Sequence, residues 1–176
     1  MWNKITDNPK KKTSALIAEA RKLFPVYFYD EENADRNFPA PEKKTTRTFE
    51  ASQEAPEKHK NKSFDDLQKE GVVGISVREY LILAMQYFRE TGSHLDVDNW
   101  TLCSGSQDAD GHVPHGHWHP GAGKLYIRWC SRDDRYGLLR TRQVVGESGT
   151  LAPSAPSSLD GSEVEIGGKR YKLKAI

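Results

Sequence analysis

Val113–Arg142, with the sequence VPHGHWHPGAGKLYIRWCSRDDRYGLLRTR, is the stretch that decides the fold of this chain. Apolar and polar residues alternate with a period of two on each side of a Pro-Gly-Ala-Gly segment, and this pattern predicts two strands joined by a turn. If His119 pairs with Lys124 across the turn, the apolar side chains fall on one face and the polar ones on the other. Because a shift of one residue would destroy that division, we predict a β-hairpin with this register.

The two faces of the predicted hairpin differ in chemistry. Three cross-strand pairs form the face that we expect to be buried, namely Trp118–Leu125, Gly116–Ile127 and Pro114–Trp129. The opposite face places His117 beside Tyr126 and His115 beside Arg128. A surface that mixes Tyr, His and Arg offers amphipathic contact area and adaptable hydrogen bonding, as antibody paratopes do.

The composition is that of one folded domain with appended segments. The chain has 176 residues, a hydrophobic content of 36% and a net charge of +1. The low hydrophobic content predicts that part of the chain is disordered, and the charge argues against bulk attraction to nucleic acid or to an anionic membrane. The sequence has neither an apolar run of about 18 residues nor a signal-peptide core, so we expect a cytoplasmic protein without a membrane partner. Cys103 and Cys130 fit a reducing compartment, and whether they pair is left open.

Four segments are predicted along the chain. They are 1–30 with a helix and a strand, 31–62 as a flexible linker, 63–148 as the main domain, and 149–176 as a linker followed by a C-terminal hairpin. The first helix runs from Ser14 to Phe24 and ends at Pro25. The linker follows from the loss of apolar residues, because Phe38 and Phe49 stand alone among charged and polar neighbours.

A helix that begins after Ser76 gives the strongest local signal. Ser76 and Glu79 form a capping box, and Ile75 with Tyr80 forms a hydrophobic staple. Apolar residues then recur at helical spacing until Gly92, which predicts the C-terminal end. We expect this helix to be core scaffold.

Two arginines follow the hairpin on one side of a strand. Arg140 and Arg142 alternate with Thr141, so their side chains share a face. We expect them to be partly buried and paired with Asp133 or Asp134 rather than to bind phosphate.

The histidines allow a metal site as a second interpretation. His115 and His119 would lie about 13 Å apart along a straight strand, too far to bind one zinc ion together. His115 with His117, or His117 with His119, could do so with Cys103 or Cys130 as a further ligand. Nothing in the sequence marks the thiol of Cys130 as activated for nucleophilic catalysis.

A longer pattern runs from Trp100 to Arg142 and reads W-T-x-C-S-G…D-G-x-V-P-x-x-x-W-x-P…G-x-L-x-I-x-W…D-x-R…G-x-L-R-x-R. This layout resembles the variable proteins of diversity-generating retroelements, and the resemblance covers about half of the chain, from Ile75 to Val145. Those proteins have a C-type-lectin-like fold. A reverse transcriptase rewrites codons of their variable region by adenine-directed mutagenesis, and the diversified side chains form a ligand-binding surface on a fixed scaffold.

The resemblance implies a role for each matching position. The scaffold positions would be Trp100, Trp118, Leu125, Ile127, Trp129, Leu139 and Arg140. The diversified, ligand-binding positions would be His115, His117, His119, Tyr126, Arg128, Cys130, Ser131, Arg132, Asp134, Arg135 and Tyr136. Within the hairpin, the second set falls on the face that the alternation independently predicts to be polar.

The chain departs from this family in one respect. The variable region of such proteins usually ends the chain, whereas about thirty residues follow Arg142 here. Because the C-type-lectin fold brings its terminal strands together, the closing hairpin would complete the sheet.

These observations predict an α+β fold with a C-type-lectin-like core of antiparallel hairpins packed on one or two helices, and a disordered or extended N-terminal linker. The first functional hypothesis is a non-enzymatic ligand-binding protein without a cofactor, whose diversified surface recognises an unknown ligand, in the first instance a protein. The second is a His-rich metalloprotein or metal-dependent hydrolase that uses His115, His117 and Cys130. The third is a small nucleic-acid-associated protein that uses the Lys-rich N-terminal half.

Overall fold

The computed structural model describes residues 2–148, 163–166 and 169–172, and shows an α+β protein with mixed sheets. The α-helices in these ranges are α1 (Thr13–Arg21), α2 (Ala34–Asn37), α3 (Phe64–Lys69) and α4 (Val77–Thr91). The strands are β1 (Trp2–Asp7), β2 (Val26–Phe28), β3 (Thr45–Glu50), β4 (Trp100–Leu102), β5 (Val113–His119), β6 (Lys124–Cys130), β7 (Leu139–Arg140), β8 (Gly146–Ser148), β9 (Glu163–Ile166) and β10 (Lys169–Lys172). Short 3-10 helices span Glu31–Asn33 and Glu57–His59.

The strands form three sheets. The largest has the order β2-β6-β5-β4-β7, with β5 antiparallel to both of its neighbours and the two outer pairs parallel. A second, antiparallel sheet has the order β1-β3-β8, and β9 pairs with β10. The hairpin therefore lies at the centre of the largest sheet, where neighbouring strands hold both of its edges.

The register of the hairpin is the predicted one. β5 and β6 pair from Val113 opposite Cys130 to His119 opposite Lys124. Gly123 closes the turn with a positive φ of 61°, a conformation that glycine adopts without steric cost. The register that the period-two alternation predicts is thus confirmed.

Helix α4 also begins and ends as predicted. The Ser76 hydroxyl accepts a hydrogen bond from the Glu79 amide at 3.2 Å, and the Glu79 carboxylate accepts one from the Ser76 amide at 2.9 Å. Gly92 ends the helix in the left-handed region, with a φ of 71°. The helix contacts β1, α1 and β5, and its buried face provides much of the main core.

One face of the hairpin packs on α4 and the elements around it. Leu125 and Ile127 are buried in the main core, with Trp118 against its edge. Gly116 allows close approach, because a Cβ atom there would lie 2.1 Å from a ring carbon of Tyr80. The predicted core face is therefore correct for the pairs Trp118–Leu125 and Gly116–Ile127.

Trp129 does not belong to that core. It is 47% exposed, and its ring lies 3.9 Å from the ring of His112. His112 lies in the loop before β5, which passes the end of β6. The indole of Trp129 therefore packs against His112 and remains partly exposed to solvent. The prediction that Trp129 is a buried scaffold residue is wrong.

The segment 31–62 is not a flexible linker. Its strand β3 pairs with β1 along its whole length, from Trp2 opposite Glu50 to Asp7 opposite Thr45. Phe38 and Phe49, the two isolated aromatic residues, are both buried in the main core. Low apolar content misled the prediction, because backbone pairing orders this segment and its few apolar side chains are well placed.

Arg142 has a different partner from the predicted ones. Its guanidinium is fully buried and contacts the carboxylate of Asp96 at 2.7 Å, while Arg140 donates to the carbonyl oxygen of Ala55 at 2.9 Å. Asp96 also accepts hydrogen bonds from the hydroxyls of Tyr80 at 2.9 Å and Thr101 at 2.7 Å. The expected pairing of the two arginines with Asp133 or Asp134 is therefore wrong.

Some sequence-based expectations concern the rest of the chain. Cys103 and Cys130 are both free and buried. The C-terminal hairpin is confirmed as β9 and β10, which pair with each other but with no other strand that the structure describes. The predicted linker at 149–162 lies outside the described residues. Among the helices within those residues, none is long and apolar enough to cross a membrane.

Candidate ligand-binding site

The polar face of the hairpin opens into a cavity of about 500 Å³, which we call the hairpin pocket. Aromatic and histidine side chains dominate its lining, together with one arginine. The lining residues are Trp100, His115, His117, His119, Tyr126, Arg128, Trp129, Cys130 and Tyr136. Most of them are positions that the sequence analysis proposes as ligand-binding sites.

The strand geometry explains why these side chains meet. Residues at every second position of β5 point to the same side of the sheet, and the register places Tyr126 and Arg128 beside His117 and His115. At one end of this face, Val113 and Cys130 lie in a small second core with residues of α3. The remainder of the face is the hairpin pocket.

Trp100 on β4 forms a flat wall of the pocket. Its ring lies parallel to that of His115 at a centroid distance of 4.9 Å and close to parallel to that of His117 at 5.1 Å. Tyr136 closes one side, with its ring 6.2 Å from that of Trp100. The resemblance assigns Trp100 to the scaffold, and the structure places it at the site itself.

His115 and His117 are buried rather than displayed. They are 4% and 8% exposed, and the Nδ1 atom of each is sealed from solvent without a hydrogen-bond partner in the described structure. Burial, together with neighbouring positive and titratable groups, lowers the pKa of both imidazoles to about 4. Both rings are therefore neutral at pH 7.

Arg128 lies above two tyrosine rings at the rim of the pocket. Its guanidinium carbon is 4.8 Å from the ring centroid of Tyr126 and 5.7 Å from that of Tyr27. Such cation–π contacts hold the guanidinium of this exposed residue in place. His119 completes this side, edge-on to Tyr126 at 5.6 Å.

Tyr27 is a site residue that sequence reasoning missed. It lies on β2, which pairs in parallel with β6 and places Tyr27 beside Tyr126, with ring centroids 5.4 Å apart. The ring is 46% exposed between two buried neighbours, Val26 and Phe28. The alternation in Val26-Tyr27-Phe28 was available as a signal of an outward-facing ring, but its partner strand lies about a hundred residues later.

Four proposed site residues lie outside the pocket, on the loop after β6. Arg132 contacts Asp65 at 2.7 Å and Arg135 contacts Asp66 at 2.7 Å, so both guanidinium groups bind carboxylates at the start of α3. The other two are Ser131 and Asp134, whose amide and carboxylate form a hydrogen bond of 2.7 Å. These contacts hold the loop beside the pocket.

Cys130 has the environment of a structural thiol. The residue is 4% exposed, and its sulfur lies 3.7 Å from the carbonyl oxygen of Val113. Burial, with a smaller effect of Asp134, raises its pKa to about 12. Burial also raises the pKa of Cys103, so neither thiol is a nucleophile at neutral pH.

Potential metal ligands come together elsewhere, in the loop before β5. Side-chain ligand atoms of Asp108, Asp110 and His112 lie within 4.8 Å of one another, whereas the described residues place no such group of three around the hairpin histidines. Asp108 already accepts hydrogen bonds from the amides of Asp110 at 3.0 Å and His112 at 2.9 Å, and from the hydroxyl of Tyr29 at 3.1 Å. These bonds give the Asp108 carboxylate a structural role.

Comparison of the chain with models of known protein families, with curated proteins and with solved structures finds no match. The function must therefore be argued from the site itself.

Proposed function

We propose that this chain is a non-enzymatic ligand-binding protein that presents a diversified recognition surface on a C-type-lectin-like scaffold. One observation carries the proposal: the two faces of a single hairpin have separate tasks. Leu125 and Ile127 are buried in the core, while the alternate residues Tyr126 and Arg128 line an open pocket. Tyr126 and Arg128 can therefore change without disturbing the core residues beside them on the strand.

The chemistry of the pocket fits recognition. Stacked rings provide contact area at low conformational cost, because Trp, Tyr and His have few rotatable bonds. Arg128, which is exposed and held by two tyrosine rings, adds a directional charge at the rim. A partner that inserts a side chain here would meet preorganised groups, which reduces the entropy lost on binding.

The same lining gives little support to catalysis. A histidine that acts as a general base is usually oriented by a carboxylate, but none of the lining residues in the described structure is Asp or Glu. The buried Cys130 thiol, with a pKa of about 12, is a poor nucleophile. Binding without chemistry is the simpler activity for this set of groups.

A metalloprotein is the second candidate, supported by the unpaired Nδ1 atoms of His115 and His117. Their ring centroids are 6.0 Å apart, but a third ligand that converges on both is missing within the described ranges. Stoichiometric zinc or iron in protein purified without added metal, lost on chelation together with folding, would favour this candidate.

Substitution on the two faces of β6 tests the main proposal. Replacing Tyr126 and Arg128 together by serine is expected to change the melting temperature by only a few degrees, because Arg128 is exposed, Tyr126 is half-buried and neither belongs to the core. The matched control replaces Leu125 and Ile127 by serine on the same strand and is expected to abolish cooperative unfolding. Equal losses for the two double variants would refute the division of tasks.

A further inference from the structure

One charged side chain lines the hairpin pocket. Arg128 is the single Lys, Arg, Asp or Glu among the lining residues that the structure describes. Beside the pocket, the Asp134 carboxylate accepts hydrogen bonds from the Ser131 amide at 2.7 Å and from the hydroxyl of Tyr136, a lining residue. A group that enters the pocket therefore meets the Arg128 guanidinium, whereas the Asp134 carboxylate is already bound by two donors.

The aromatic walls do not make this pocket a cage for cations. Arg128 already occupies the faces of Tyr126 and Tyr27, at 4.8 and 5.7 Å from their centroids. A cationic ligand would compete for those faces and would be repelled by the guanidinium. A carboxylate would instead accept hydrogen bonds from its fork of N–H groups.

The two buried histidines add neutral donors. Because Nδ1 of His115 and His117 is sealed without a partner, Nε2 is the ring nitrogen through which each residue can reach a ligand. Protonation at Nε2 is the less costly tautomer, since it avoids sealing an unpaired N–H group inside the protein. The remaining lining is largely aromatic, with Trp100, Tyr126 and Tyr136 around the histidines, and flat walls favour a flat group.

We infer that the hairpin pocket binds a planar anionic group, namely a carboxylate carried by an aromatic ring. Arg128 pairs with the charge, the Nε2–H groups of His115 and His117 donate to its oxygens, and the aromatic lining of the pocket contacts the ring. The inference rests on the proposed binding function and assigns the chemical class of its ligand.

Three isosteric probes test this inference: benzoate, benzamide and benzamidinium differ in charge but share size and shape. Titration is followed by NMR on the indole N–H of Trp100 and the imidazole signals of His115 and His117. Benzoate is expected to bind most tightly and benzamidinium least. Arg128→Gln is expected to weaken benzoate roughly fivefold and to remove its preference over benzamide. Arg89→Gln is the control, because this exposed arginine pairs with Glu19 on α1 and neither residue lines the hairpin pocket.

The outcomes separate this inference from the proposed function. Benzamidinium binding as tightly as benzoate, or an unchanged benzoate affinity in Arg128→Gln, would overturn the anionic ligand class while the pocket would still be a binding site. If no probe shifts the Trp100 or histidine signals at millimolar concentration, both the ligand class and the pocket as a recognition site are refuted.

Discussion

Replacing Arg142 by methionine tests whether the scaffold depends on the buried ion pair beneath the sheet. The guanidinium donates to the Asp96 carboxylate at 2.7 Å and to the carbonyl oxygens of Glu50 at 3.0 Å, Ser52 at 2.8 Å and Gln53 at 3.1 Å. Methionine fills a similar volume but donates none of these bonds. The carboxylate and three carbonyl groups would then lose donors inside the protein.

The expected cost follows from the burial of the pair. Both side chains are 0% exposed, and removing one member of a buried, hydrogen-bonded ion pair costs about 3–5 kcal/mol. For a protein of this size that loss lowers the melting temperature by roughly 6–20 °C. Arg128→Met is the matched control, because Arg128 is exposed, and its loss should change stability by about 0.5 kcal/mol or less.

Urea unfolding followed by tryptophan fluorescence measures both variants. The double variant Arg142→Met/Asp96→Asn should recover part of the loss, because it removes the stranded charge together with its partner. An Arg142→Met variant within about 1 kcal/mol of wild type would refute the reasoning. So would an Arg128→Met variant that is as unstable as Arg142→Met.

Three further outcomes are expected. The free energy of unfolding should fall as the pH drops from 6.5 toward 4, because folded His115 and His117 have a pKa of about 4 and unfolded imidazoles take up protons first. The complete loss is about 3.4 kcal/mol per histidine. Urea titrations at pH 7 and 5 measure part of it, and a double His→Phe variant should show a flatter profile. Gly116→Ala should cost about 1–3 kcal/mol by calorimetry, because its methyl group would lie 2.1 Å from an α4 tyrosine ring; wild-type stability would contradict the close packing. Ser76→Ala should cost about 1 kcal/mol in the same assay through the lost N-cap, whereas Ser76→Asp should retain most of the stability.

The local part of the fold was predictable from the sequence. The alternation around Pro120 determines the hairpin register, because only one pairing sends all apolar residues of β5 and β6 to one side. Ser76, Glu79 and Gly92 determine the ends of α4 for an equally local reason, since capping groups act within one turn. These signals need no knowledge of distant residues.

The long-range part was not predictable in this way. The strand at Thr45–Glu50 carries little apolar signal and is recognisable only through its partner at the N-terminus. Arg142 and Asp96 form a buried pair across a separation of 46 residues, with no local pattern that links them. A single charged residue in a sequence indicates neither whether its side chain is buried nor which residue it pairs with.

The candidate site, too, was predictable from the sequence only in part. The side of the hairpin that forms the pocket follows from its alternation. Trp100, by contrast, lines the pocket from β4, and Tyr27 supports the lining residues Tyr126 and Arg128 from β2. The burial of His115 and His117 follows from that assembly as well, because Trp100 covers both rings.

The most direct test of the proposed diversified surface is to sequence the DNA that flanks the gene. We expect a near-copy of the segment that encodes Val113–Arg142, next to a reverse-transcriptase gene, with mismatches only where the copy has adenine. The mismatched codons should include those of Tyr126 and Arg128 in the pocket and spare those of Leu125 and Ile127 in the core. Absence of such a copy, or mismatches in the codons of Leu125 and Ile127, would contradict the account.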